Sequence, residues 1–174
     1  MLIDDFQTEY RRWREVAEKA IAQMPDEALN RVPSPEGNSV AMIVRHVSGN
    51  LASRFTNFLT EDGEKPDRDR EAEFAERPYT RAEVEDLLRR GFAALDEALD
   101  SLTDDDVERT VTIRGQPMTV HAALTRSLAH IVNHIGQIVL LAKMTVAGPW
   151  QSLSIPRGQS TAFNARMTGQ LPRM

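Results

Sequence analysis

From residue 2 to residue 24, apolar and aromatic side chains recur at Leu2, Phe6, Tyr10, Trp13, Ala17, Ala20 and Met24, in steps of four and three. That rhythm predicts a helix with one buried seam. Pro25 ends it, and the three prolines and one glycine of residues 25–38 predict a connection holding at most a short helical turn. Asn38 or Ser39 then caps a second helix over residues 39–59, with a core stripe of Val40, Ile43, Val44, Val47, Leu51, Phe55 and Phe58. Beside that stripe runs a second row at steps of four and three: Met42, His46, Asn50, Ser53 and Asn57. Residues 60–79 are dense in charge and poor in apolar side chains, which predicts a long exposed crossover. Thr80 with Glu83 makes a capping box for a third helix, whose stripe is Val84, Leu87, Leu88, Phe92, Leu95, Leu99 and Leu102. The β-branched residues flanking Arg114 and Gly115 predict a short hairpin or an irregular extended loop. Thr119 caps the last long helix, residues 119–144, which is apolar nearly all round and is expected to be buried on several sides, with Gly136 allowing a close helix approach. From residue 147 onward the chain is rich in Gly, Pro, Ser and Thr and shows no period. It is expected to lie extended on the bundle or on a partner subunit, pinned by Trp150, Ile155 and Phe163, with its last residues loose.

Four amphipathic helices with one long crossover between the second and third predict an all-α four-helix bundle over residues 1–146, followed by an extended C-terminal tail over residues 147–174. At 174 residues the chain is long enough for one sizeable core and short for two. Its formal net charge is −5 with basic residues scattered, which argues against nucleic acid as a partner. There are no cysteines, so disulfides, thiolate ligands and a cysteine nucleophile are excluded together. The longest uncharged run, residues 127–142, is shorter than the roughly 20 apolar residues of a membrane span. No targeting signal is visible in the first residues, and a cytoplasmic protein is expected.

The chemistry is carried by histidines. His130 and His134 stand one turn apart, so both imidazoles can address one point. His46 on the second helix completes a three-nitrogen face if that helix neighbours the last one, and three protein ligands leave a position open for water or substrate. His121, nine residues before His130, is about 13 Å away along the axis and falls outside the set. Asn50, Asn133 and Gln137 are the candidates for fixing the imidazole tautomers. The same amides could equally satisfy buried histidines that bind no metal. Arg45 and Arg54 read as solvated or paired charges. No Asp or Glu stands at a telling spacing from the histidines, so no general base is assigned.

A second-helix SVAMIVRHVSGNL followed near the C-terminus by HIVNHIGQI resembles the DinB-like superfamily, also called the YfiT-like metal-dependent hydrolases. The resemblance runs from the first helix to about residue 144. It implies that His46, His130 and His134 bind a divalent metal, usually nickel or zinc, and that the chain forms homodimers. It also implies one of two activities on a small-molecule substrate: hydrolysis, or S-transfer or isomerisation with a low-molecular-weight thiol such as bacillithiol, mycothiol or glutathione. On either, the ion lowers the pKa of a bound water or thiol. The competing expectation is a non-catalytic dimeric bundle, stress-related, that binds metal or a small molecule.

Overall fold

The computed structural model describes residues 1–169. Among them are six α-helices and one small hairpin. The first helix, α1 (Leu2–Ile21), buries Ile3, Phe6, Tyr10, Ala17, Ala20 and Ile21. Its seam begins at Ile3, while Leu2 stays in solvent. Both oxygens of Asp104 accept from its first amides, Leu2 N and Ile3 N, each at 3.0 Å. A carboxylate is well placed there, at the positive end of the helix dipole. The connection to α2 (Val40–Phe55) holds a single 3₁₀ turn, Asp26–Ala28. Ser39 caps α2, its hydroxyl accepting from Met42 N at 3.2 Å. The helix ends at Phe55, before the expected residue 59, because Thr56 is extended and Asn57 adopts a positive φ of 51°.

The crossover is exposed along most of its length but is not featureless. It carries a four-residue helix, α3 (Arg70–Glu73), capped by Asp69 and ending in a buried Glu73. The capping box of Thr80 and Glu83 then opens α4 (Arg81–Asp100). The hairpin pairs β1 (Thr110–Ile113) with β2 (Gln116–Thr119), Ile113 opposite Gln116. Arg114 and Gly115 both have positive φ, 56° and 69°, as a two-residue turn matched to strand twist requires. Asp62 grips that turn, accepting from Arg114 N and Gly115 N at 2.8 Å each, and Gly63 N donates to Thr112 O. The start of the crossover is thereby tied to the hairpin.

Thr119 caps α5 (Val120–Thr145) through Ala122 N. α2 lies on α4 and α5, and α1 lies on α5 and α4. Tyr10 joins α1 to α5, its hydroxyl donating to Leu124 O at 2.8 Å. α2 and α4 meet at backbone distance, since a Cβ on Gly91 would stand 2.6 Å from Ser48 Cα. Burial of Ile131, Ile135 and Ile138 contributes about 1.5–3 kcal/mol each to this core.

Two expectations need correction. α5 buries one stripe and leaves Leu140 and Met144 exposed, and nothing approaches Gly136, because α1 and α2 cover a single side of it. The tail is not wholly extended: it contains α6 (Ser160–Met167), which buries no side chain. Trp150 packs on the core beneath Lys143, and Gln151 bonds to Gln23, whereas Ile155 and Phe163 remain exposed. The expectation of loose final residues lies outside the described residues. Among the described residues no helix is long and apolar enough to cross a membrane.

Candidate metal centre

Because α2 crosses α5, the second-row position of His46 meets the two histidines that α5 presents one turn apart. The ligand atoms of His46, His130 and His134 lie within 4.8 Å of one another, a group that could hold a metal ion. His46 Nε2 is 3.1 Å from His130 Nε2, and the His134 ring centroid is 4.9 Å from that of His46 and 4.6 Å from that of His130. His121 is apart from them, exposed and edge-on to Phe6.

The other nitrogen of His46 explains why it is held there. Nδ1 is 2.8 Å from Glu73 Oε2, and both side chains are buried. The carboxylate accepts a hydrogen bond from Nδ1–H, which favours the tautomer whose Nε2 lone pair is directed at the other imidazoles. Arg68 anchors Glu73 in turn, Nε donating to Oε1 at 2.8 Å and Nη2 to Oε2 at 2.9 Å. Burial works against the ionised form of Glu73, but the hydrogen bonds from His46 and Arg68 outweigh it and hold the carboxyl below its ordinary range. Room for the carboxylate comes from Gly49, three residues after His46, where a Cβ would collide with Glu73 Oε1 and stand 3.0 Å from Cδ.

On the α5 side, burial first and the neighbouring imidazoles second push the His130 pKa down to about 4. His134 is lowered by the same two causes, partly offset by Gln137. Both rings are thus neutral at pH 7, the state a metal ligand requires. His130 Nδ1 is buried without a hydrogen-bond partner.

The donor set passes the test of fit for a divalent ion. Nitrogens at about 2.0–2.1 Å from a tetrahedral centre stand about 3.3 Å from each other, close to the separation of the two Nε2 atoms. Two lone pairs this close also repel unless a proton or a cation lies between them, and a cation satisfies both.

Of the amide candidates, Gln137 stands with Oε1 3.4 Å from His134 Nδ1, Asn50 is buried in the wall of the adjoining cleft, and Asn133 is exposed. Sequence reasoning missed Glu73 and Arg68, which sit in a stretch read as solvated. The available signal was Gly49, since a glycine inside a helix needs a packing reason.

The cleft beside the histidines has a volume of about 200 Å³. α2, the crossover, the hairpin and α5 line it, and no Asp or Glu among the described residues does so.

A family model described as "Protein of unknown function (DUF1572)" matches residues 2–159. Among solved structures, a DinB-like protein from Bacillus cereus ATCC 10987 superposes with a TM-score of 0.63 at 21% identity, over 84% of this chain and 97% of that one. Likeness at that identity is a likeness of fold. No curated protein matches the chain.

Proposed function

The chain belongs to the DUF1572 family and has the DinB-like fold, and from that premise we propose that it is a metal-dependent enzyme of the four-helix-bundle type. In this reading His46, His130 and His134 hold one divalent ion, nickel or zinc, at the inner end of the cleft. The ion, when bound, supplies a Lewis-acid charge that favours the deprotonated form of a water or thiol nucleophile. The chain's own residues do the rest. Glu73 keeps His46 in the tautomer that offers Nε2, Arg68 keeps Glu73 ionised, and Gln137 orients His134. Phe74, its ring centroid 4.8 Å from that of His46, covers the outer face of that imidazole.

The observation that carries the proposal is the His46 Nε2 to His130 Nε2 distance of 3.1 Å with Glu73 on the opposite nitrogen. A buried carboxylate, a histidine and a shared focal point form the arrangement by which proteins orient imidazole toward a metal. Hydrolysis of a small molecule and S-transfer with a low-molecular-weight thiol are the two reactions such a site serves. The absence of a carboxylate from the cleft wall among the described residues favours the thiol, which attacks as a thiolate without a separate base. We also read the exposed Leu140 and Met144 as part of a homodimer contact.

Elemental mass spectrometry on untagged protein purified without chelator tests the reading. The parent is expected to carry about one nickel or zinc per chain, and His46→Ala and His134→Ala are expected to carry none. Metal absent from the parent, or unchanged in both variants, would leave a non-catalytic small-molecule-binding bundle.

A further inference from the structure

The cleft next to the histidines is lined by five arginines, Arg54, Arg68, Arg70, Arg114 and Arg126, in a chain whose net charge is −5. They come from four separate places: α2 gives Arg54, the crossover Arg68 and Arg70, the hairpin turn Arg114, and α5 Arg126. Their partners are fewer. Glu64 is shared by Arg54, Arg68 and Arg114. Glu73 is taken by Arg68, and the exposed Glu71 by Arg70. Arg126 has no ion-pair partner among the described residues, although it stands one turn before His130 on the same face of α5. Four residues on one helix are about 6 Å apart along its axis, so a charge held by Arg126 lies a short molecule's length from the histidine cluster.

The remaining lining complements this. Phe55, Phe58 and Ile113 give the cleft an apolar floor. Ser127, 7% exposed, keeps its hydroxyl in the core beside Tyr10, so the charged end of the cleft is left to Arg126. A guanidinium without a carboxylate partner, in a cleft lined by four further arginines, is a group that an incoming anion would pair.

We infer that this cleft binds a small organic anion, a carboxylate or phosphate on an apolar body, with Arg126 taking the charged end and the histidine cluster facing the other. This names the substrate class of the enzyme proposed above and rests on that reading only for the role of the histidine end. Anion capture by Arg126 needs no metal.

Calorimetric titration of the full-length chain, stripped with chelator and in parallel loaded with zinc, provides the test. The probes are benzoate and phenyl phosphate, with benzamide as the neutral analogue. Both preparations are expected to bind at least one of the anions and not benzamide, and the stronger of the two identifies carboxylate or phosphate as the natural group. Arg126→Gln should weaken that binding by about tenfold or more, the loss of a charge-assisted hydrogen-bonded pair, with Arg126→Lys recovering part of it. Because Arg126 is exposed, its variants should unfold like the parent and keep the same metal content. Loss of anion binding with metal retained therefore supports this inference separately from the metal site. Binding of benzamide as strong as that of the anions, equal anion affinity in Arg126→Gln, or anion binding confined to the zinc-loaded protein would overturn it. The last of these would place the anion on the metal itself.

Discussion

α2 and α5 supply the three histidines and are built in opposite ways. α2 buries twelve of its sixteen residues, among them His46, Ser48, Asn50 and Ser53, whereas α5 buries eight of twenty-six. Yet α5 is the more apolar of the two. The difference is one of neighbours: α2 is crossed by α4 and α5 and covered by α3, while α5 has partners along one side only. Three of these polar groups on α2 have protein partners, Ser48 Oγ on Leu87 O at 2.7 Å, Ser53 Oγ on Gly63 O at 2.9 Å, and His46 on Glu73, while Asn50 borders the cleft. α2 is thus the fixed wall of the site. α5 is the half-open wall, giving two partly buried imidazoles, a free arginine and an outward apolar face.

Breaking the fixed wall should have the largest effect. Glu73→Ala leaves the buried Arg68 guanidinium with only its longer contact to the shared Glu64, and about 3 kcal/mol of unfolding free energy should be lost, measurable by urea denaturation. That is the low end for breaking a buried pair, because a groove over Gly49 and Lys65 lets water reach it. A loss under about 0.5 kcal/mol, the scale of an ordinary surface change, would mean that α3 does not lie on α2 as described. Two glycines sharpen the contrast. Gly49→Ala should cost about 1–3 kcal/mol by overpacking against Glu73. Gly136→Ala, facing open space, should stabilise α5 by up to about 1 kcal/mol in thermal unfolding. Destabilisation by Gly136→Ala instead would mean that the dimer contact read at Leu140 and Met144 extends to Gly136 and leaves no room there for a methyl group.

A graded effect belongs to the α5 histidines. Their folded pKa values lie below the ordinary value of 6.5, His130 at about 4, so the unfolded chain binds more protons between those limits. The stability they contribute is full above pH 6.5 and is lost as pH falls toward 4. Urea midpoints of the metal-free protein should therefore drop across that window, and the drop should flatten in His130→Gln. A midpoint independent of pH there would contradict buried neutral imidazoles. The smallest expected change is Leu140→Ala, within about 0.5 kcal/mol for folding, with weaker self-association in sedimentation experiments if α5 forms the dimer contact.

The helices were legible because their seams repeat at helical spacing and their first turns carry Ser39, Thr80 and Thr119 as caps. The hairpin was legible in Arg114 and Gly115, and the histidine cluster in a one-turn pair plus a lone imidazole on the flank of α2. Glu73 and Arg68 were not, because a carboxylate turned inward has the same local pattern as the solvated ones around it. Only the three-dimensional approach to Gly49 distinguishes it. The open face of α5 was hidden for the converse reason: apolar side chains state a capacity for burial, and the number of neighbours decides how much is used. α6 has no apolar stripe to announce it, being a helix that buries nothing.

The central claim is that three imidazoles converge on one divalent ion and leave a position facing the cleft. A cobalt(II) titration of the chelator-stripped chain, followed by visible absorption, addresses it most directly. The expected result is a band that saturates at one equivalent, is abolished in His130→Ala, and shifts when a low-molecular-weight thiol is added. A spectrum that does not saturate at one equivalent, or one unchanged by removal of His130, would contradict the account.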